Sequence, residues 1–310
     1  MTGIHKAFQA ARELFRAGAS VCRLILPTLF WPVFWLLDAK FIQFEYRRIG
    51  HLAVEPDYFL KAAELDGAKQ HRFRIVLAPG ADVANHWLLD YWKSYFVIVT
   101  SRWLCRLLRP LARGPLMIDA RRTKDGPILG TDPTYALHAR WGNRAPLLQL
   151  TEDDQAWGRR QLSAMGIPDD AWFVCVHCRE EGYAPNERFA NRNGAVADYE
   201  EAIRAVAARG GWCARVGDST MTPLNPDLPN TVDYAVSSWK SERLDVFLCA
   251  ACRFFLGNTS GLFLASTVFG RPCALVNVTP AAAAALNASD LSIPKLVRRG
   301  ADGKLLTFKQ

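Results

Sequence analysis

Three short stretches of the chain place arginine, histidine, small polar residues and glycine directly after apolar runs. They are "VHCREEGY" at residues 176–183, "ARVGDS" at 214–219 and "FFLGNTSGL" at 254–262. A guanidinium group grips phosphate through two parallel hydrogen bonds and keeps its charge at any relevant pH. The three stretches together therefore predict a site for a phosphorylated ligand.

The first two stretches offer different groups to such a ligand. His177 and Arg179 are two positions apart, so on a strand both side chains point to the same side of the sheet. They suit a phosphate grip, or a structural arginine–glutamate pair beside a hydrogen-bonded histidine. Arg215, Gly217 and Asp218 follow another apolar run. The aspartate suits the cap of the next turn, or a hydrogen bond to a ribose or base.

The third stretch places Asn258, Thr259, Ser260 and Gly261 between an apolar run and a predicted helix. The first N–H groups of a helix lack partners within it, and the helix dipole adds roughly half a positive charge there. Ser260 supplies a hydroxyl, and Gly261 lets a ligand approach the backbone closely. We expect an anion-binding corner, with an ordinary capped helix as the alternative.

Short apolar runs that end in glycine or proline alternate with helix-like stretches along most of the chain. Such alternation is typical of a parallel sheet covered by helices. We predict an α/β fold with two facing, doubly wound, Rossmann-like domains at residues 41–150 and 151–310, after a segment of residues 1–40. Ligands of such sheets bind at the carboxyl ends of strands, where the three stretches lie.

The same patterns give approximate positions for the elements. Strands are expected near residues 41–46, 73–80, 95–101, 172–178, 212–217, 231–236, 253–257 and 273–278, and helices near 51–65, 83–93, 152–165, 198–209, 241–251 and 261–269. Thr151 is the expected N-cap of the third helix. Residues 110–150 are rich in proline, glycine and arginine, so we expect an irregular connection between the domains.

The charge of the chain favours an anionic partner. The formal net charge is +8 and the isoelectric point is near 9.2. Nucleotide phosphates, lipid headgroups and nucleic acid all satisfy this balance. The basic residues are spread along the chain rather than gathered in a stripe with interleaved aromatic residues. We therefore expect no nucleic-acid partner.

Several classes of site are excluded by what the sequence lacks. It contains no G-x-G-x-x-G after a strand, no G-x-x-x-x-G-K-[ST], no G-x-S-x-G and no D-x-D. Two C-x-x-C pairs, Cys175/Cys178 and Cys249/Cys252, lie about 70 residues apart, whereas a zinc ribbon separates its pairs by roughly 15–20. We expect buried free cysteines, no metal and no cofactor. Any diphosphate must then be neutralised by arginines and helix dipoles.

The N-terminus has a membrane-surface pattern. Residues 4–16 predict a basic amphipathic helix, and residues 21–37 are rich in tryptophan and phenylalanine. The apolar part of the second stretch is shorter than the roughly 20 residues that span a bilayer. No A-x-A cleavage site follows, so a cleaved signal peptide is not expected. An interfacial anchor is favoured, with a single span or a buried helix of the fold as alternatives.

The second half of the chain resembles the donor-binding region of the GT-B glycosyltransferases. Residues 245–278, "DVFLCAACRFFLGNTSGLFLASTVFGRPCALVNV", are similar to heptosyltransferase-like enzymes, and "VHCRE" with "RVGD" is similar to fucosyltransferase-like ones. A bacterial sequence family assigned to the glycosyltransferases shares "RIGHLAVEPDYFL", "HCREEGY", "NRN", "RVGDSTM", "VDYA" and "NTSG". The resemblance covers roughly residues 41–296 and is strongest over 171–280.

The resemblance implies that the second domain binds a nucleotide-sugar donor. Arg179 would contact the diphosphate and act in catalysis, Asp218 would hold the nucleoside or position the loop, and Ser260 and Gly261 would bind phosphate. Two further groups are added on chemical grounds alone. Arg215 and Lys240 are candidates for neutralising the leaving group.

The acceptor is expected to enter from the first domain. His51, which follows the first predicted strand, is a candidate base for an acceptor hydroxyl, and Glu55 and Asp82 are rival bases. A core or substrate-positioning role for His51 stays open. The polar residues Asn191, Arg192 and Asn193 are candidates for contact with the sugar, or are turn residues.

These inferences combine into one expectation about function. The chain is expected to be a metal-independent glycosyltransferase at the cytoplasmic face of the inner membrane, peripheral or monotopic. Its partners would be a nucleotide sugar, a glycan or lipid-linked acceptor and the membrane surface. A non-catalytic nucleotide-sugar-binding or scaffold protein of a glycan assembly system is the alternative.

Overall fold

The protein is a mixed α/β chain with two parallel sheets. The computed structural model describes residues 29–123, 126–128, 132–180, 190–279 and 286–307. The first sheet consists of β1 (Ala39–Gln43), β2 (Phe73–Leu77), β3 (Val97–Val99) and β4 (Met117–Asp119), in the order β3-β2-β1-β4. A small antiparallel hairpin, β5 (Arg122–Thr123) and β6 (Gly126–Pro127), follows it.

The second sheet is larger and its strand order repeats that of the first. Its strands are β7 (Phe173–His177), β8 (Trp212–Arg215), β9 (Thr231–Val232), β10 (Phe255–Gly257), β11 (Cys273–Val278) and β12 (Leu291–Pro294), in the order β12-β11-β10-β7-β8-β9. All pairings within both sheets are parallel. The predicted parallel α/β architecture is confirmed, and it is consistent with a GT-B-like fold.

Eight α-helices connect the strands in the described part of the chain beyond residue 38. They are α1 (Ile49–Leu65), α2 (His86–Tyr91), α3 (Arg102–Leu108), α4 (Asp132–Trp141), α5 (Glu152–Ala164), α6 (Glu200–Ala207), α7 (Glu242–Ala251) and α8 (Leu262–Val268). The Thr151 side chain accepts a hydrogen bond from the backbone N–H of Asp154, as the capping pattern predicts. The Ser241 side chain caps α7 in the same way.

Two expectations about the elements were wrong. The connection at residues 110–150 contains β4, which extends the first sheet, and the ten-residue helix α4. The strand expected at 231–236 pairs only at Thr231–Val232, and residues 234–236 form a 3₁₀ turn. The strands in question have two or three residues, and apolar patterns so brief do not distinguish a strand from a loop.

Helix α1 continues through a proline because a side chain outside the helix replaces the hydrogen bond that the proline cannot make. Pro56 lies inside the helix and has no N–H to donate to the carbonyl of Leu52, four residues earlier. The indole Nε1 of Trp92 donates a hydrogen bond to that carbonyl at 2.9 Å instead. Both Leu52 and Trp92 are fully buried, so an unpaired carbonyl there would be costly. The tryptophan thus allows α1 to run past Pro56.

Each sheet has one switch point, at which later strands are added on the opposite side of the first strand. In the first sheet β2 and β3 lie on one side of β1 and β4 lies on the other. In the second sheet β8 and β9 lie beyond β7, while β10, β11 and β12 extend from its opposite side. Connections then leave β7 and β10 in opposite directions, which opens a crevice at their carboxyl ends. Topology alone marks the β7/β10 end as the place for a ligand.

The two sheets share one hydrophobic core. Buried side chains of β1, α1 and α2 belong to the same continuous cluster as those of β7, α7, α8 and β11. At the closest point Gly50 of α1 faces Gly261, directly before α8. A Cβ atom added to Gly50 would lie 2.8 Å from the Cα of Gly261. Only glycine permits the two backbones to meet this closely.

The N-terminal segment is described only from residue 29. Residues 29–36 are helical, and the part of the predicted membrane segment at 1–28 lies outside the described residues. Among the helices that the structure describes, none combines the length and the apolar character needed to cross a bilayer.

The glycine contact gives a stability prediction. Gly50→Ala forces a methyl group against the backbone of Gly261, and overpacking of this kind costs about 1–3 kcal/mol. The gain in helix propensity from alanine, about 1 kcal/mol, offsets part of that. We expect urea denaturation to show a net loss of unfolding free energy. The control is Gly300→Ala, where no atom lies within 4 Å of the added Cβ; equal midpoints for both variants would contradict the contact.

Candidate active site at the β7 and β10 strand ends

Arg179 and Asn258 meet where β7 and β10 end. The backbone N–H of Arg179 donates a hydrogen bond to Oδ1 of Asn258 at 2.8 Å. The Nδ2 group of Asn258 donates to the carbonyl of Arg192 at 3.0 Å. Asn258 is fully buried. Its amide therefore fastens the end of one strand to the polar loop that was predicted to face the ligand.

The polar loop is anchored from two sides. The Nε of Arg179 donates to Oδ1 of Asn193 at 3.1 Å, so Asn193 orients the guanidinium group. Lys295, just after β12, donates from Nζ to the carbonyls of Asn191 at 3.0 Å and of Asn193 at 2.8 Å. The structure thus gives Asn191 and Asn193 contacts within the protein. A direct contact of either with a sugar stays a prediction.

Three guanidinium groups from separate parts of the chain come together beside this loop. Burial lowers the pKa of Arg192, and the positive charges of Arg179 and Arg48 lower it further. Arg179 is only 8% exposed. Arg48 is the N-cap residue of α1 and belongs to the first half of the chain. We call Arg48, Arg179 and Arg192 the arginine triad; together they create a strong positive potential at the crevice.

The residues of the N-T-S-G corner have different surroundings. Thr259 accepts a hydrogen bond at its Oγ1 from the backbone N–H of Thr279, at 3.2 Å. Ser260 is 9% exposed, and its hydroxyl has no hydrogen-bond partner among the described residues. A Cβ atom added to Gly261 would lie 3.1 Å from the backbone N of Gly50, so this side of Gly261 faces α1. Contact of its backbone with a ligand stays a prediction. Of the four, Ser260 keeps an uncommitted polar atom.

His177 and its neighbours shape the loop after β8. Its Nδ1 lies 3.0 Å from the carbonyl of Val216, and a neutral imidazole donates there. Gly217 has a φ of 152°, and an added Cβ would lie 2.2 Å from the Sδ of Met221. Asp218 accepts from the backbone N–H of Thr220 at 2.8 Å and from its hydroxyl. The imidazole is 5% exposed, which suits a structural role.

Arg215 is already paired within the fold. Its side chain is fully buried and forms ion pairs with Glu180 at 3.3 Å and Asp233 at 3.0 Å. It also donates to the carbonyl of Thr222 at 2.7 Å. A structural arginine–glutamate pair therefore exists in this region, with Arg215 as its cation and Glu180 as its carboxylate. These partners match its charge, so we leave Arg215 out of the proposed donor site.

Lys240 is likewise bound to protein groups. Its Nζ lies 2.8 Å from Oδ1 of Asp245 and 5.4 Å from the ring centre of Tyr234. The Tyr234 hydroxyl donates to the same carboxylate at 2.9 Å. Since its charge is matched there, Lys240 also stays outside the donor site that we propose below.

His51 and Glu55 form a pair on α1, next to the glycine contact. The Nδ1 of His51 lies 2.7 Å from Oε1 of Glu55. The other carboxylate oxygen accepts from the backbone N–H of Glu45, also at 2.7 Å. The Glu55 side chain is 3% exposed and that of His51 is 31% exposed. Because Nδ1 faces the carboxylate, the imidazole presents Nε2 as a proton acceptor.

Asp82, the remaining candidate base, occupies a different environment. Its carboxylate is more exposed and lies 3.4 Å from the guanidinium of Arg47. Of the three candidates, His51 is the one whose partly exposed side chain has a buried carboxylate behind it. This arrangement has the roles of a general base and its orienting group.

Two residues of the site were missed by reasoning from the sequence. Arg48 stands in "RRIGH" after the first strand, and only its place before the predicted helix could have marked it. Lys295 follows a strand that the apolar pattern did not predict. Among the described residues, no three or more histidine, cysteine or acidic side chains cluster in a way that could hold a metal ion.

Comparison with known proteins supports the fold. No protein-family model and no curated protein matches the sequence. Among solved structures, the ADP-heptose lps heptosyltransferase II of E. coli is similar at 14% identity with a TM-score of 0.51, over 84% of this chain and 91% of that one. A glycosyl transferase family 9 protein from Veillonella parvula DSM 2008 is similar at 10% identity with a TM-score of 0.47, over 83% and 86%.

A third structure, the iron-containing dodecameric glycosyltransferase TibC of enterotoxigenic E. coli H10407, is similar at 13% identity with a TM-score of 0.44, over 77% of this chain and 58% of that one. At these identities the likeness concerns the fold. The chain therefore shares a fold with the heptosyltransferase.

The buried histidine of the site gives a pH prediction. Burial lowers the pKa of His177 to about 4, whereas the unfolded chain has an ordinary value near 6.5. Between these values the unfolded state binds the extra proton, so stability falls as the pH falls. His177→Asn removes this titration. We expect the wild type to lose roughly 2–3 kcal/mol more than the variant between pH 7 and pH 4.5 in urea denaturation. Parallel losses would refute the buried neutral imidazole.

Proposed function

We propose that the protein is a glycosyltransferase that moves a sugar from a nucleotide-sugar donor to an envelope glycan or lipid-linked acceptor. The observation that carries the proposal is the position of the arginine triad and the His51–Glu55 pair. Both lie where α1 approaches the β7/β10 crevice, in a fold shared with a heptosyltransferase. The acceptor and the membrane location at the cytoplasmic face are parts of the same proposal.

The donor diphosphate fits the charge of the crevice. Breaking the bond between the sugar and the diphosphate leaves negative charge on the departing oxygen, and fixed positive groups stabilise that state. Arg179 is oriented by Asn193, and Arg192 and Arg48 add charge from both halves of the protein. The hydroxyl of Ser260 is the additional donor for a phosphate oxygen. Asp218 is held by Thr220 at the neighbouring strand end, which suits contact with the nucleoside.

The acceptor hydroxyl is activated from the first half of the protein. Nε2 of His51 takes its proton, and the resulting oxygen attacks the anomeric carbon as the bond to the diphosphate breaks. Glu55 holds the imidazole in the required tautomer and stabilises the imidazolium ion that forms. The hydrogen bond from the backbone N–H of Glu45 holds the Glu55 carboxylate in place.

Donor binding should depend on the triad. Arg179→Met removes a charge-assisted contact worth about 1.5–3 kcal/mol, so we expect the dissociation constant of a nucleoside diphosphate to rise about 10- to 100-fold in calorimetric titration. Ser260→Ala should weaken binding less. The control is Arg209→Met, an exposed arginine after α6 at the opposite end of the second sheet. Equal affinities for all four proteins would reject the donor site.

Turnover should depend on His51 separately from donor binding. His51→Asn keeps a polar group beside Glu55 but removes the base, which typically contributes 10²–10⁴-fold in rate. We expect kcat for sugar transfer to envelope lipid extracts to fall by about that factor while donor affinity stays at the wild-type value. A wild type that binds the donor yet neither transfers nor hydrolyses the sugar would instead support a binding or scaffold protein.

A further inference from the structure

A second basic region lies in the first half of the chain. A cavity of about 680 Å³ lies between the first sheet and α3. Its lining contains six arginines, namely Arg47, Arg102, Arg106, Arg109, Arg113 and Arg121. Glu45 and Asp82 are the carboxylates of the lining. We call it the arginine-lined cavity; its positive groups outnumber its negative ones.

Most of this charge has no counter-ion in the part of the chain that the structure describes. Arg47 is 3.4 Å from Asp82, and Arg121 is 2.8 Å from Asp119. The other four arginines form no ion pair with any described residue. Such an excess around one cavity favours a negatively charged occupant.

Helix α3 carries the arginines next to an exposed apolar face. Arg102, Arg106 and Arg109 follow the spacing of one helical side, and Cys105 is buried behind them. Trp103 is 68% exposed and Leu107 is 54% exposed on the adjoining side. Large apolar side chains flanked by arginines are typical of helices that lie in the interface of a lipid bilayer.

The helical residues 29–36 join the same region. Phe34 packs on Phe41 of β1, with 5.3 Å between ring centres. Both belong to a small core that also includes Leu108, the last residue of α3, and Ala112 beyond it. The remaining large apolar residues of this segment are exposed: Leu29, Phe30, Trp31, Val33, Trp35, Leu36 and Leu37. A contiguous surface that bears seven exposed large apolar side chains marks an interaction site.

We propose that α3 and residues 29–37 dock on an anionic lipid bilayer and that the arginine-lined cavity receives a lipid phosphate headgroup. The tryptophan and leucine side chains enter the interface, where rings with one apolar end are favoured. The arginines face the phosphates from just outside it. This combination distinguishes a lipid surface from a purely apolar protein partner, which would leave the arginines unmatched. The proposal does not depend on sugar transfer.

The test measures binding of the full-length protein to vesicles by flotation. Vesicles of phosphatidylcholine alone are compared with vesicles that also contain phosphatidylglycerol. The variants are Arg106→Gln with Arg109→Gln in the cavity, and Trp103→Ser on the apolar face. The matched control is Arg159→Gln with Arg160→Gln, which removes the same charge from exposed positions of α5.

We expect the wild type and the α5 control to bind phosphatidylglycerol vesicles equally well. The cavity variant should bind at least about tenfold more weakly to these vesicles, and Trp103→Ser should bind more weakly to both kinds. Nucleoside diphosphate affinity should be unchanged in all of them, which separates this result from the donor site. Failure of the wild type to bind anionic vesicles, equal loss in both double variants, or no loss in the cavity variant would each overturn the proposal.

Discussion

Positive charges that repel one another must be held together for this site to exist. Arg48 and Arg179 lie close enough to Arg192 for their positive charges to lower its pKa, which burial lowers most. The repulsion is opposed by neutral amides: Asn258 fastens the strand end to the loop, and Asn193 holds the guanidinium of Arg179. In the function proposed above, the donor diphosphate offsets the repulsion among these three groups when it binds.

The sequence predicted the parallel α/β class, most elements and the edge of the second sheet that carries the site. It did so because buried parallel strands have continuous apolar runs and because polar residues at their carboxyl ends stand out. The individual roles in the N-T-S-G corner were not predictable. Whether Gly261 meets a ligand or Gly50 depends on how α1 packs against α8, which is a contact between residues more than 200 positions apart.

The ion pairs of the arginines were also not predictable from the sequence. Arg179 and Arg215 have similar settings in the sequence, each at the end of an apolar run. The structure places two carboxylates on Arg215 and an amide on Arg179. Pairings of this kind depend on tertiary geometry, so the residue type alone does not predict that Arg215 forms ion pairs with Glu180 and Asp233.

The continuous core beneath both sheets has a consequence for how the chain can be divided. Its buried side chains come from β1, α1 and α2 on one side and from β7, α7 and α8 on the other. A fragment cut near residue 150 would turn half of that interior into solvent-exposed surface. Neither piece would keep the triad, because Arg48 would leave with one and Arg179 with the other. The smallest unit that retains the crevice therefore spans both sheets, and it should melt as a single cooperative body.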